Sequence, residues 1–148
     1  MLLLAGLATV ASGELFNCSS CAECGDHTDI FIPFNGNTSI TYLEFKDCDN
    51  IESVTIDSGF LTIGEDAFYD SNNLKTVHFP DTLTKIDDYA FQYCDLESIE
   101  FPDGLVEIDS YAFNGNRKME FVVFGPNISL INNAAFSRCD SLKYIDFK

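Results

Sequence analysis

Residues 63–80 read IGEDAFYDSNNLKTVHFP, and residues 86–102 repeat them, one residue shorter, as IDDYAFQYCDLESIEFP. Working outward from this pair, Phe45, Phe68, Phe91, Phe113 and Phe136 fall 23, 23, 22 and 23 residues apart. Five residues before each stands Ile40, Ile63, Ile86, Ile108 or Ile131, and Ala67, Ala90, Ala112 and Ala135 directly precede the last four. Behind each Phe come three more apolar positions, which in the second unit are Leu74, Val77 and Phe79. Self-similarity at a fixed period of this size marks a stacked-repeat architecture.

Within each unit the run that ends at the third apolar position alternates with a period of two, as in Ser53-Val54-Thr55-Ile56, Thr76-Val77-His78-Phe79 and Ser98-Ile99-Glu100-Phe101. That alternation, with β-branched and aromatic residues at the inward positions, predicts strands. Pro80 and Pro102 stop their strands, and about 17 residues then bring the chain back to the next strand in the same direction, so the sheet is parallel. The return holds the Ala-Phe pair among Gly, Asn and Asp, which predicts tight turns and short helical or 3₁₀ segments. The residue missing from the third unit falls between apolar positions, where a turn absorbs a deletion and a packed face does not. No unit can bury its own apolar face, so the core forms only between neighbours. The fold class is therefore a leucine-rich-repeat solenoid, five stacked coils over residues 37–148 with a parallel β-sheet on one face.

Units such as Ile63 to Phe68 continuing to Leu74, Val77 and Pro80 resemble the BspA-type leucine-rich repeats of bacterial and protist surface proteins. The resemblance covers Asn37 to Lys148, with the first unit degenerate because Glu44 replaces Ala. It implies a secreted or cell-surface protein engaged in adhesion to host cells, matrix proteins or other microbes, and it carries no catalytic residue.

A chain of 148 residues with 46% hydrophobic and 14% aromatic content can build the core of one ordinary domain. Its net charge of −16 repels the phosphate backbone of nucleic acids and the headgroups of anionic lipid, which excludes both as partners. The apolar run Met1 to Val10, followed by Ala11, Ser12 and Gly13, reads as a secretory signal peptide over residues 1–13 with cleavage near Ser12 or Gly13. It is too short to span a bilayer, and no second apolar stretch of roughly 18 residues follows, so no membrane insertion is expected after the leader is removed. The first basic residue is Lys46, so either the amino terminus alone supplies the leader's charge or the true start lies upstream. The sequons at Asn17, Asn37 and Asn127 are candidate glycosylation sites in a secreted chain.

Residues 14–36 form a Cys-containing N-terminal cap. Cys18, Cys21, Cys24 and His27 are spaced as four metal ligands could be; behind a leader the same thiols read instead as disulfides stapling the exposed first edge of the solenoid, with Cys48 as the fourth member that evens the count. On that reading the chain holds no metal and needs no cofactor. Cys48, Cys94 and Cys139 each lie three residues after the repeat Phe in units one, three and five. At a strand spacing of about 4.8 Å such positions are roughly 9–10 Å apart, beyond disulfide reach, so Cys94 and Cys139 are expected as buried free thiols.

No nucleophile elbow, phosphate loop or His-Glu metal helix occurs, and Asp47, Asp49 and Asn50 lack the Gly and distal Glu of a calcium loop. The chain is thus expected not to be an enzyme. Alternation along the strands instead defines an outward face, with Ser53, Thr76, Ser98, Phe121 and Tyr144 in one row and Thr55, His78, Glu100, Val123 and Asp146 in the next. Phe121, Val123 and Tyr144 make an apolar patch there, the place to hold a protein or glycan ligand. The same patch adjoins an uncapped C-terminal end, so self-association within a longer repeat array is the alternative.

Overall fold

Each repeat contributes two strands, not one. In the computed structural model, which describes residues 15–42 and 44–148, the strands Ser53–Ile56, Thr76–His78, Ser98–Glu100, Phe121–Phe124 and Tyr144–Phe147 lie parallel along one side of a β-solenoid. A second parallel sheet is built from the two-residue strands Ser39–Ile40, Thr62–Ile63, Lys85–Ile86, Glu107–Ile108 and Leu130–Ile131, stacked in coil order. The Ile of each repeat is the inward residue of this second sheet, fully buried in coils one to four. The expected leader, residues 1–13, lies outside the described residues.

Between the two sheets run the Phe ladders. Phe45, Phe68, Phe91, Phe113 and Phe136 stack face to face at centroid distances of 5.0, 4.9, 5.2 and 5.2 Å. Phe79, Phe101, Phe124 and Phe147 form the second column, at 5.8, 5.3 and 5.0 Å. Offset-stacked rings add favourable quadrupole contacts to the area they bury, and a repeat with one Phe per turn delivers them automatically at the strand spacing. The preceding Ala is buried too, and its carbonyl accepts the N–H of the Phe one coil earlier, as in Phe68 to Ala90 at 2.8 Å and Phe91 to Ala112 at 2.7 Å.

Among the described residues the return segments of the repeats hold no helical or 3₁₀ stretch; successive β-turns take that place. Each turn pair uses left-handed residues two before and two after the Phe. Asp66, Tyr89, Tyr111 and Ala134 have φ of 55–59°, and Asp47, Asp70, Tyr93 and Arg138 have φ of 55–60°. A helix cannot pass through such residues, which is why the expected helical segments do not form. Gly115 takes the second of these positions in coil four with φ 82°, and a Cβ there would run into the Tyr93 ring.

In coils two to five the position three residues after the Phe satisfies a carbonyl of the coil before. Ser71 Oγ donates to Phe45 O at 2.7 Å, Cys94 Sγ to Phe68 O at 3.2 Å, Asn116 Nδ2 to Phe91 O at 2.8 Å, and Cys139 Sγ to Phe113 O at 3.4 Å. These side chains are buried, and a buried carbonyl without a donor costs about 1–3 kcal/mol, so a small donor is required at this place whatever its identity. Cys94 and Cys139 are free thiols. Burial pushes both up, Cys139 to about 11 and Cys94 further.

The short third coil has a specific compensation. In coils one, two, four and five the Leu-position amide donates to the carbonyl three residues back, as Leu74 does to Ser71 and Met119 to Asn116. Leu96 stands only two residues after Cys94 and has lost that acceptor. Asn116 of the next coil replaces it: its Oδ1 accepts the Leu96 N–H at 3.2 Å while its Nδ2 serves Phe91 O.

Residues 15–36 extend the long sheet rather than merely covering its end. Asp29–Ile32 pairs in parallel with Ser53–Ile56, burying Ile30 and Ile32 in the core, and Phe16–Asn17 pairs beyond it. Cys18 is joined to Cys24 and Cys21 to Cys48, the second bridge tying a one-turn helix, Cys21–Cys24, to the first coil. Asn50 reinforces the join, its amide donating to the carbonyls of Gly25 and His27.

Candidate functional site

The outward face of the long sheet collects side chains that the core does not use. Strand pairing aligns Asp29, Ser53 and Thr76 in one segment, and Ser98, Phe121 and Tyr144 in another. The next row reads Phe31, Thr55 and His78, then Glu100, Val123 and Asp146. Ser53, Thr55 and Val123 are half-buried, and Thr76, His78, Ser98, Glu100, Phe121, Tyr144 and Asp146 are exposed, while Val54, Val77, Ile99 and Val122 point into the core between them.

The two segments do not join into one continuous ladder. Between Thr76–His78 and Ser98–Glu100 no strand pairing forms; Glu97 N–H still reaches Lys75 O at 3.2 Å, and Asp95 N–H reaches Leu74 O. The break lies at the one-residue deletion of coil three. It opens a groove of about 690 Å³ over Thr76, His78, Ser98 and Glu100, closed at one side by Lys148, whose Nζ lies 2.7 Å from Glu100 and 3.7 Å from Asp103. The hydrogen bond to Glu100 raises the Lys148 ammonium above its usual range.

On the far side of the break stands the aromatic pair. Phe121 and Tyr144 are 43% and 66% exposed, and their rings stack at 5.5 Å, 2° from parallel. Since Tyr144 covers one face of Phe121 and the next residue in the row is only Ser98, the other face of Phe121 is open. A depression of about 430 Å³ lies there, lined by Glu97, Ser98, Lys118, Glu120, Phe121 and Ser141. Lys118 is held by Asp95 at 2.6 Å and Glu120 by Lys143 at 2.9 Å, pairs that link successive coils along the entry edge of the sheet, as Lys75 and Glu52 do at 2.6 Å. Glu97 makes no salt bridge among the described residues. Sequence patterning finds the aromatic row but not Glu97, Lys118 or Glu120, which sit before the strands; the 23-residue offset that pairs Glu120 with Lys143 is their one sequence signal.

The remaining candidates lie apart from this face or on its rim. Asn37 is exposed in the segment before Ser39–Ile40 and Asn127 in a turn, and Asn17 is exposed on the first edge strand, beside Phe31. The thiols of Cys18, Cys21, Cys24 and Cys48 are consumed in disulfides, and the fourth residue of the metal spacing, His27, stacks on Phe16 at 3.9 Å instead. No helix among the described residues is long and apolar enough to cross a membrane.

Two parallel sheets wound from 22- and 23-residue turns around stacked Phe define a leucine-rich-repeat β-solenoid with one polar and aromatic sheet face turned to solvent. The chain belongs to the family described as BspA type leucine rich repeat region (6 copies), whose model matches residues 38–148. Among solved structures it is similar to a leucine rich repeat protein of T. pallidum, with 26% identity and a TM-score of 0.79 over 83% of this chain and 60% of that one. It is also similar to a leucine rich cell surface protein of Faecalibacterium prausnitzii, with 27% identity and a TM-score of 0.77 over 91% of this chain and 34% of that one. The pneumococcal vaccine antigen PcpA matches at 26% identity and a TM-score of 0.52, over 66% of this chain and 31% of that one. The chain thus spans 60% and about a third of the length of the first two. No curated protein matches the sequence.

Proposed function

We propose that the chain is a secreted or cell-surface binding module that holds a protein or glycan ligand on the outward face of its long sheet and serves in adhesion. The observation that carries this reading is the exposed Phe121–Tyr144 stack on a rigid sheet, beside a polar depression. Large exposed aromatics next to polar groups are the usual anchors of an interface, and a soluble surface rarely keeps them without use. The family's surface proteins and the named cell-surface neighbour support an extracellular setting, as do the disulfides and the exposed sequon residues Asn17, Asn37 and Asn127. Beads coated with the chain should adhere to at least one surface in a panel of matrix proteins and cell-surface glycans. Adhesion no better than that of uncoated beads across the panel would remove the function.

A second reading rests on the last coil. Ile131 and Ile145 are 41% and 54% exposed along its outer side, where the same positions of coils one to four, from Ile40 to Ile108 and from Val54 to Val122, are buried. Another coil of the same kind, from the same repeat array or from a second copy, would cover them, which makes the chain a structural element of a longer array. Sedimentation velocity separates the readings: a monomer at micromolar concentration that adheres to the panel supports the first, and concentration-dependent dimers without adhesion support the second.

A further inference from the structure

We infer that the depression over Ser98 receives an arginine side chain from a basic protein segment, the guanidinium lying against the open face of Phe121 and pairing with Glu97. The inference rests on the proposed binding role of this face and names the chemistry of its ligand. Three observations point to a cation. All six Lys of the chain, and Arg117, already lie within 4.0 Å of a carboxylate, so the surplus of 24 acids over eight bases remains as unbalanced negative charge on the surface. Within the depression the same holds locally. Lys118 and Glu120 are neutralised by Asp95 and Lys143, which leaves the Glu97 carboxylate as the one lining charge without an ion-pair partner among the described residues. Finally, one ring face of Phe121 is covered by Tyr144 and the other is open toward Ser98, so a flat group can lie on it.

A guanidinium matches these features together. It is planar and stacks on an aromatic face, it is attracted by the ring quadrupole, and its fork of N–H donors fits a carboxylate edge-on. An ammonium would meet Glu97 but has no flat face to lay on Phe121, and an anionic group would meet Glu97 and Glu120 unfavourably. A second copy of this chain is a poor source of the arginine, because two bodies of charge −16 repel one another on approach. A basic segment of another protein is drawn in by the same field.

The test uses this chain of 148 residues and fluorescein-labelled peptides alternating Gly with Arg, Lys or Glu, read by fluorescence anisotropy at low salt. The Arg peptide should bind, the Lys peptide more weakly, and the Glu peptide not at all. Phe121→Ser and Glu97→Gln should each weaken the Arg peptide roughly tenfold. Asp26→Asn, which removes one charge from an exposed position in the cap, should leave it unchanged. Equal losses for Glu97→Gln and Asp26→Asn, or unchanged binding by Phe121→Ser, would overturn the inference in favour of diffuse attraction. Binding of neutral glycans, and not of the Arg peptide, that depends on Phe121 would overturn it while leaving the ligand face in place. Absence of any Phe121-dependent binding would remove both. Circular dichroism and the melting temperature of each variant verify that the fold is kept, as the exposed positions of Phe121 and Glu97 require.

Discussion

Asn116→Cys restores the residue type that coils one, three and five carry at this position, yet it should destabilise the protein. The thiol can still donate to Phe91 O, as Cys94 and Cys139 do to their carbonyls at 3.2 and 3.4 Å. Phe113 O, which also accepts from Asn116 Nδ2 at 2.9 Å, keeps the Cys139 thiol as a donor. What the substitution cannot replace is the acceptor for Leu96 N–H, which Asn116 Oδ1 supplies at 3.2 Å in a fully buried place. An orphaned buried amide costs about 1–3 kcal/mol, so a loss near 2 kcal/mol is expected, with little cavity contribution because the two side chains are close in size. At about 2–4 °C per kcal/mol for a chain of this size, the melting temperature should fall by about 4–8 °C. The cause can be isolated by inserting one Asn between Asp95 and Leu96, which brings coil three to full length and returns Cys94 O as the acceptor. In that background Asn116→Cys should cost less than about 0.5 kcal/mol, giving a coupling of about 1.5 kcal/mol in a double-mutant cycle measured by urea denaturation. A substitution that is neutral in the parent, or equally costly in both backgrounds, would refute the compensation.

Other outcomes follow from the stacking. Phe91→Ala, which removes a fully buried ring held between Phe68 and Phe113, should cost about 3–5 kcal/mol by denaturant titration, and Phe136→Ala on the half-covered last coil clearly less. Replacing Cys21 and Cys48 together by Ser opens a bridge between residues 27 apart, and chain entropy sets the loss at about 3–4 kcal/mol in a thermal melt under oxidising conditions. At pH 8 the Cys139 thiol, pushed up to about 11, and the more strongly raised Cys94 stay protonated and covered; mass mapping should find both alkylated only after unfolding, and a Cys94–Cys139 crosslink would contradict the coil spacing.

Much of this structure was legible in the repeat. The 23-residue recurrence of Ile, Ala and Phe names the ladders, because a solenoid places equal positions in columns, and period-two alternation then assigns each strand residue to core or solvent. The second sheet was not legible: its strands are two residues long, too short for any alternation to register, and only stacking makes Lys85-Ile86 and its equivalents into a ladder. The helical expectation for the returns failed at residues such as Tyr89, Tyr111 and Arg138, whose left-handed backbone their side chains do not announce. Asn116 reads as a lapse from the pattern until its neighbour's deletion is set beside it in space. The strand at Asp29–Ile32 is visible in hindsight, since Asp-Ile-Phe-Ile alternates just as Ser53 to Ile56 does, 24 residues on. On the candidate face, sequence placed the aromatics, but the carboxylates and ammonium groups around them sit just before the strands, outside the alternating pattern, and the winding arranges them.

Binding by the outward sheet face is tested by the double substitution Phe121→Ser with Tyr144→Ser, measured by surface plasmon resonance against whichever matrix protein or glycan of the panel the parent chain binds. Both side chains are exposed, so the melting temperature should hold within about 2 °C. Affinity should fall by roughly thirtyfold or more, the equivalent of about 2 kcal/mol lost from a central aromatic anchor. Unchanged affinity in a folded variant would contradict the claim that this face is where the protein binds.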